Sequence, residues 1–139
     1  SGDIDAVQLC MSKAKECGAK MTVELNVSGA FHSALMKPAR HSLAEILNSI
    51  QIRDADFPIF LNVTAQPTTD KSEIKSNLIR QLEHPVLWSE IIENMISYGT
   101  TRFLEIGPGK VLTGLNRRIN KSALTQSIGT LNELNLCLA

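Results

Sequence analysis

The sequence predicts an α/β fold built on a largely parallel sheet. Three observations carry this. Apolar residues recur at helical spacing in several stretches of ten residues or more. Between them lie short runs of strand length, either alternating (Met21, Val23, Leu25) or continuously apolar (Ile59, Phe60, Leu61). Glycine or proline punctuates the junctions, at Gly18, Pro85, Gly99 and Gly107-Pro108-Gly109. Helices alternating with short strands are the pattern of parallel sheets covered by crossover helices.

Taken in order, the first helix is expected over residues 3–16, with Asp3 as N-cap and Ile4, Val7, Met11 and Ala14 as its inner stripe, widened by Leu9 and Cys10. Cys17-Gly18 ends it. Residues 19–26 read as a half-buried strand. A loop, Val27-Ser28-Gly29-Ala30-Phe31-His32-Ser33, follows, with Gly29 as its point of backbone freedom. The next helix is expected over 33–50, with Ser33 as a possible cap, Pro38 in its first turn, and Leu35, Ala39, Leu43, Ile46, Leu47 and Ile50 facing inward. A buried strand is expected over 58–62 and a loop over 66–70. A helix then runs from residue 70 or 72 to 83, with Ile74, Leu78 and Leu82 on one side. Residues 87–98 form another, with Leu87, Ile91, Met95 and Tyr98 inward and Trp88, Ile92 and Ile96 beside them. A strand over 102–106 leads through Gly107-Pro108-Gly109-Lys110 into a helix over 110–119, with Val111, Leu112, Leu115 and Ile119 inward. A short strand over 123–128 and a tail over 129–139, itself a candidate short helix, complete the chain. Four strands are few for a sheet that helices must cover, and the opening helix–strand unit has no obvious partner. The segment therefore reads as part of a larger fold.

Composition narrows the function classes. The 139 residues are 43% hydrophobic, and fourteen basic side chains balance fourteen acidic ones. With no basic patch in the sequence, nucleic acid is not an expected partner. No run reaches the length of a membrane span, so no membrane role is expected. Cys10, Cys17 and Cys137 form no CxxC pair, and their odd number fits a reducing compartment. The first residues lack a secretory pattern. Ser1-Gly2 fits a processing scar and an internal boundary equally.

Several side chains are candidates for chemistry. His32, on a loop between a strand and a helix, suits acid–base work because imidazole titrates near neutrality. A capping or packing histidine is the alternative, and from the residues alone the stronger one. His41 reads as a surface residue. His32, His41 and His84 do not have the spacing of a zinc ligand set. Asn62, at the carboxyl end of a strand, lies where open α/β sheets hold ligands, or else stabilises a turn. Gly107-Pro108-Gly109-Lys110 matches neither a dinucleotide fingerprint nor a Walker A loop, and Pro108 removes an amide, so a tight turn is favoured over a phosphate cradle.

Together the motifs resemble the malonyl-CoA:acyl carrier protein transacylases. Val27-Ser28-Gly29-Ala30-Phe31-His32-Ser33, followed by Leu35-Met36 and Pro38-Ala39, is similar to that family's catalytic-histidine segment. Asn62-Val63, Arg80-Gln81-Leu82, Pro85-Val86 and Trp88 follow in the family's order, and Glu105-Ile106-Gly107-Pro108-Gly109-Lys110-Val111-Leu112, with Gly114-Leu115 and Arg118, closes the match. The resemblance covers about residues 3–128. It implies an α/β-hydrolase-like large subdomain with an inserted ferredoxin-like subdomain: residues 1–26 would end the small subdomain, and 27–139 would be the carboxyl-terminal part of the large one. It implies a two-step acyl transfer in which His32 is the base and the main-chain carbonyl of Gln81 fixes its tautomer. Phe31 and Asn62 would line the substrate cleft, Phe31 crowding a 2-methyl branch. Lys110, Arg117 and Arg118 are weaker candidates for contact with an acidic carrier protein.

The implied substrates are malonyl-CoA and phosphopantetheinylated acyl carrier protein, with no cofactor and no metal. The implied location is the cytoplasm, or a plastid or mitochondrial matrix in a eukaryote. The family's Gly-His-Ser-Leu-Gly serine elbow is absent from these residues, and its carboxylate-binding arginine and oxyanion amides lie upstream of this segment. The chain is therefore expected to carry the histidine half of a site, to need the upstream half of the enzyme as partner, and to be inactive alone. The alternatives are an acyltransferase domain of a polyketide or fatty acid megasynthase, or a non-catalytic fragment.

Overall fold

A computed structural model of the chain describes residues 1–138. It divides into two compact units, one of residues 1–63 with 67–86, the other of 64–66 with residue 87 onward.

The first unit opens with helix α1 (Ile4–Glu16), begun by Asp3, whose carboxylate accepts from the Asp5 amide at 3.1 Å. Its expected stripe is half-buried at Val7, Met11 and Ala14, while Ile4 and Leu9 are exposed. The strand expected over 19–26 is not formed. A strand needs a neighbour to accept its amides, and no described residue forms a ladder with these. Met21, Val23 and Leu25 are exposed in consequence. A 3-10 turn (Ala34–Met36), capped by Ser33, leads into α2 (Lys37–Ser49). The inner face of α2 is rotated from the expected one. Arg40, Leu43, Ala44 and Leu47 turn inward, spaced as one helical stripe, and Leu35, Ala39, Ile46 and Ile50 are exposed. Strand β1 (Ile59–Phe60) pairs antiparallel with β2 (Pro67–Thr68), in the stretch expected to be a loop. Asp70 then caps α3 (Lys71–Arg80), accepting from the Ser72 and Glu73 amides at 2.8 Å each. Such a cap is worth about 1 kcal/mol. Leu47, Leu61 and Ile74 form this unit's buried apolar set.

In the second unit, α4 (Trp88–Ser97) buries Ile91 and Ile92, and Tyr98 is exposed rather than inward. Strands β3 (Arg102–Ile106) and β4 (Leu124–Ile128) pair in parallel, Arg102 opposite Leu124 and Ile106 opposite Ile128, joined by helix α5 (Val111–Ile119). The parallel crossover is as expected, but the single four-stranded sheet is not. Among the described residues two separate two-stranded sheets stand in its place, one of them antiparallel. The β3–α5 turn uses Gly107 and Gly109 at φ of 132° and 100°, a region that side chains disfavour, so the tight-turn reading of this loop holds. Helix α6 (Leu131–Leu138) closes the chain through a capping box: the Glu133 amide donates to Thr130 Oγ1 at 3.2 Å and the Glu133 carboxylate accepts from the Thr130 amide at 3.0 Å.

Helix α5 reverses its expected face. Val111, Leu112 and Leu115 are exposed and the polar Thr113 and Asn116 are buried. Their burial costs little because each is hydrogen-bonded. Trp88 Nε1 donates to Asn116 Oδ1 at 3.0 Å, and Thr113 Oγ1 donates to Glu105 Oε2 at 2.7 Å. Glu105 also accepts from the amides of Leu112 (3.0 Å) and Thr113 (2.8 Å), capping α5 from the strand before it. The Thr113 hydroxyl, and then these amides, hold its carboxyl below the ordinary carboxylate range against the opposing effect of desolvation. A depressed folded-state pKa contributes stability above the unfolded pKa and loses it as pH falls through the folded one. Urea midpoints followed from neutrality down to about pH 3, below the ordinary glutamate value, should therefore fall for the wild-type chain and fall less for Glu105→Gln. Parallel curves for the two would show that Glu105 does not carry this linkage.

Candidate active site

The residues singled out from the sequence separate by unit. His32, Phe31, Asn62 and Gln81 belong to the first; Lys110, Arg117 and Arg118 belong to the second.

His32 is the turning point of its loop. The sharp turn expected at Gly29 occurs at His32 itself, which adopts φ 61°, a left-handed conformation that histidine tolerates better than most residues. Its backbone amide donates to the Leu82 carbonyl at 3.0 Å. Its ring Nδ1 lies 2.9 Å from the Gln81 carbonyl oxygen and 3.0 Å from that of His84. Both neighbours can only accept, so Nδ1 carries the proton and Nε2 is left with its lone pair. Gln81 is the C-cap of α3, and its amide donates to Asn77 at 2.9 Å. Main-chain oxygens at the carboxyl end of a helix thus sit against the ring. This is the support that a carboxylate gives in a serine–histidine–aspartate triad, supplied here by main-chain oxygens.

Asn62 is joined to the same place. Its Nδ2 donates to Gln81 Oε1 at 3.0 Å, so one residue binds His32 through its backbone and Asn62 through its side chain. Phe31 is 43% exposed, and a methyl placed on Gly29 would stand 3.5 Å from its ring. The Ser33 hydroxyl is engaged locally: its Oγ donates to the Ala30 carbonyl at 2.6 Å and accepts from the Leu35 amide at 3.3 Å. His41 is exposed, 3.8 Å from Glu45, as a surface residue would be.

Sequence reasoning missed the second acceptor, the His84 carbonyl, and the ion pair of Arg40 Nε with Glu83 Oε2 at 2.7 Å beside it. A backbone carbonyl leaves no mark in residue type. The Arg40–Glu83 pair had one available signal, opposite charges on two neighbouring helical patterns. In the second unit Lys110 begins α5, and Arg117 and Arg118 occupy its last turn, all exposed. Arg117 also lines an open groove of ≈ 460 Å³ with Arg102, Lys121 and Gln126. No set of three or more metal-ligating side chains is grouped among the described residues, and no helix among them is long and apolar enough to cross a membrane.

An α/β chain that presents one imidazole with a fixed tautomer and a free nitrogen has the make-up of an acid–base protein. The chain is 45% identical over 138 residues to the malonyl CoA-acyl carrier protein transacylase of Bacillus subtilis (strain 168), a match that covers 99% of this chain and 44% of that protein. It superposes on the acyl carrier protein S-malonyltransferase of Vibrio cholerae with a TM-score of 0.92 at 40% identity, covering 98% of this chain and 44% of that one. A malonyl-transacylase solved in complex with its type II polyketide acyl-carrier protein gives a TM-score of 0.93 at 37% identity, with 99% and 44% covered. No family model matches the chain. Along nearly its whole length the chain is similar to malonyl CoA-acyl carrier protein transacylases, and it spans 44% of the length of the curated relatives it matches.

Proposed function

We propose that this chain carries the histidine half of a malonyl-CoA:acyl carrier protein transacylase site. The observation that carries the reading is the His32 ring, held by the carbonyls of Gln81 and His84 with Nε2 free, in a chain 45% identical to such an enzyme. His32 Nε2 takes the proton of a serine hydroxyl supplied by the remainder of the enzyme as that oxygen attacks the malonyl thioester. The C–S bond breaks, and the imidazolium protonates the departing coenzyme A thiolate. In the second half His32 deprotonates the phosphopantetheine thiol of the carrier protein. The thiolate takes the malonyl group, and the serine oxygen recovers its proton. The Gln81 and His84 carbonyls stabilise the imidazolium in both halves. No cofactor enters these steps.

Phe31 and Asn62 line the cleft in this reading, with Phe31 disfavouring branched acyl groups. Lys110, Arg117 and Arg118 offer positive charge to an acidic carrier protein. Residues 1–26 end a ferredoxin-like subdomain, and 27–139 belong to an α/β-hydrolase-like one. The exposed Met21, Val23 and Leu25, and the exposed face of α5, suit surfaces covered by the upstream half of the enzyme. A cytoplasmic or organelle-matrix enzyme fits this chemistry.

The test is reconstitution. The 139-residue chain is incubated with malonyl-CoA and holo carrier protein, alone and with the upstream segment of a homologue, and malonyl-carrier is read by intact mass. Product should form only when both pieces are present. Turnover by the chain alone, abolished by Ser28→Ala or Ser33→Ala, would overturn the assignment of roles.

A further inference from the structure

The turn 81–84 holds His32 through three hydrogen bonds, from the backbone amide to Leu82 and from Nδ1 to Gln81 and His84. The turn lies beyond the end of α3 and belongs to no sheet. Within itself it is gathered on one oxygen: the Arg80 carbonyl accepts from the Glu83 amide at 3.1 Å and from His84 Nδ1 at 2.7 Å. These bonds shape the turn but do not fix its place relative to the loop that carries His32. Arg40 does that. It projects from the inner stripe of α2, the helix that continues from the His32 loop through the 3-10 turn, and its Nε lies 2.7 Å from Glu83 Oε2, an ion-pair contact that is not aligned as a hydrogen bond. The Glu83 side chain is only 20% exposed and that of Arg40 38%, so solvent screens this pair less than a freely exposed one. Glu83 stands between the two residues whose carbonyls receive the ring proton.

We propose that the Arg40–Glu83 ion pair is a positioning strap for His32. It closes a second connection between the loop that carries the imidazole and the turn that carries its two acceptors, so that Nδ1–H stays bound and Nε2 stays aimed. Neither residue touches a reacting atom. The effect on catalysis rests on the transacylase reading, but the effect on the ring does not. A pair that merely joined α2 to α3 would change melting and leave the ring alone.

The readout is therefore the ring. In the 139-residue chain, the exchange of the His32 Nδ1 proton with water is measured by 15N-resolved NMR at a pH where the ring is neutral. Arg40→Ala and Glu83→Gln should each speed that exchange at least about threefold, the scale expected for loss of a partly shielded pair. The reversed pair Arg40→Glu with Glu83→Arg should restore it. Lys71→Ala, which removes the exposed Lys71–Asp54 pair (4.0 Å), should leave it unchanged. Should Arg40→Ala fail to fold, Arg40→Gln, which keeps a long polar side chain and removes the charge, gives the same comparison. Exchange unchanged in the folded single variants, or raised equally by Lys71→Ala, overturns the strap. A ring that responds as expected in a protein without malonyl transfer in the reconstituted assay supports the strap and removes the transacylase reading instead.

Discussion

Replacing His32 by asparagine should lower malonyl transfer by the reconstituted or complete enzyme by roughly 100-fold or more, the usual scale for loss of a positioned general base. Asparagine is the informative substitution because of the backbone. His32 sits at φ 61°, where asparagine is comfortable and alanine is strained. His32→Ala would remove the base and disturb the loop together. His32→Asn removes the basic nitrogen and leaves the turn and the bond to the Leu82 carbonyl in place. The two variants should therefore lose activity alike, while His32→Ala alone loses stability. Steady-state transfer from malonyl-CoA to carrier protein, beside a melting curve for each, makes the comparison. A His32→Asn enzyme within threefold of wild type would remove the histidine from the mechanism.

How far the sequence foretells this structure depends on where each signal resides. Helices α1, α3, α4 and α5 were legible because caps and apolar spacing are local: Asp3 and Asp70 sit where the sequence puts them and bond the amides that caps bond. The β3–α5–β4 crossover was legible for the same reason, with glycines marking its turn. What failed was non-local. Residues 19–26 alternate like a strand, but alternation cannot supply the neighbour that a ladder needs. The inner faces of α2 and α5 differ from the expected ones because burial there does not follow hydrophobicity. In α5 the buried side chains are Thr113 and Asn116, made tolerable by Glu105 and Trp88, partners that no helical periodicity reveals. The residue-type logic of a catalytic triad is equally blind to the surroundings of His32. Where a triad has a carboxylate, His32 has a pair of backbone oxygens, and the side chains of the residues that bear them, Gln81 and His84, leave no mark of it.

That distinction between backbone and side chain makes the last expected result the sharpest. Gln81→Ala should keep activity within about tenfold of wild type, because the carbonyl that accepts from Nδ1 remains and a helix C-cap accepts alanine readily. What alanine removes is Oε1, the acceptor for Asn62 Nδ2 at 3.0 Å. That loss should appear as a modest change in KM if Asn62 lines the cleft. Gln81→Pro should instead bring activity below about 1% of wild type, through the backbone. Its φ of −60° already suits proline, so the ring closure itself is not the difficulty. The damage comes from the lost amide, which donates to the Asn77 carbonyl at 2.9 Å, and from the proline ring pressing on that same carbonyl. Arg80, placed before a proline, is also driven out of its helical conformation. The end of α3 then shifts, and with it the oxygens of residues 81 and 84 that hold His32. Transfer assays on both variants, with circular dichroism to show that the rest of the fold is retained, separate the cases. Equal and severe losses in folded Gln81→Ala and Gln81→Pro would assign the role to the glutamine side chain and take it from the carbonyl.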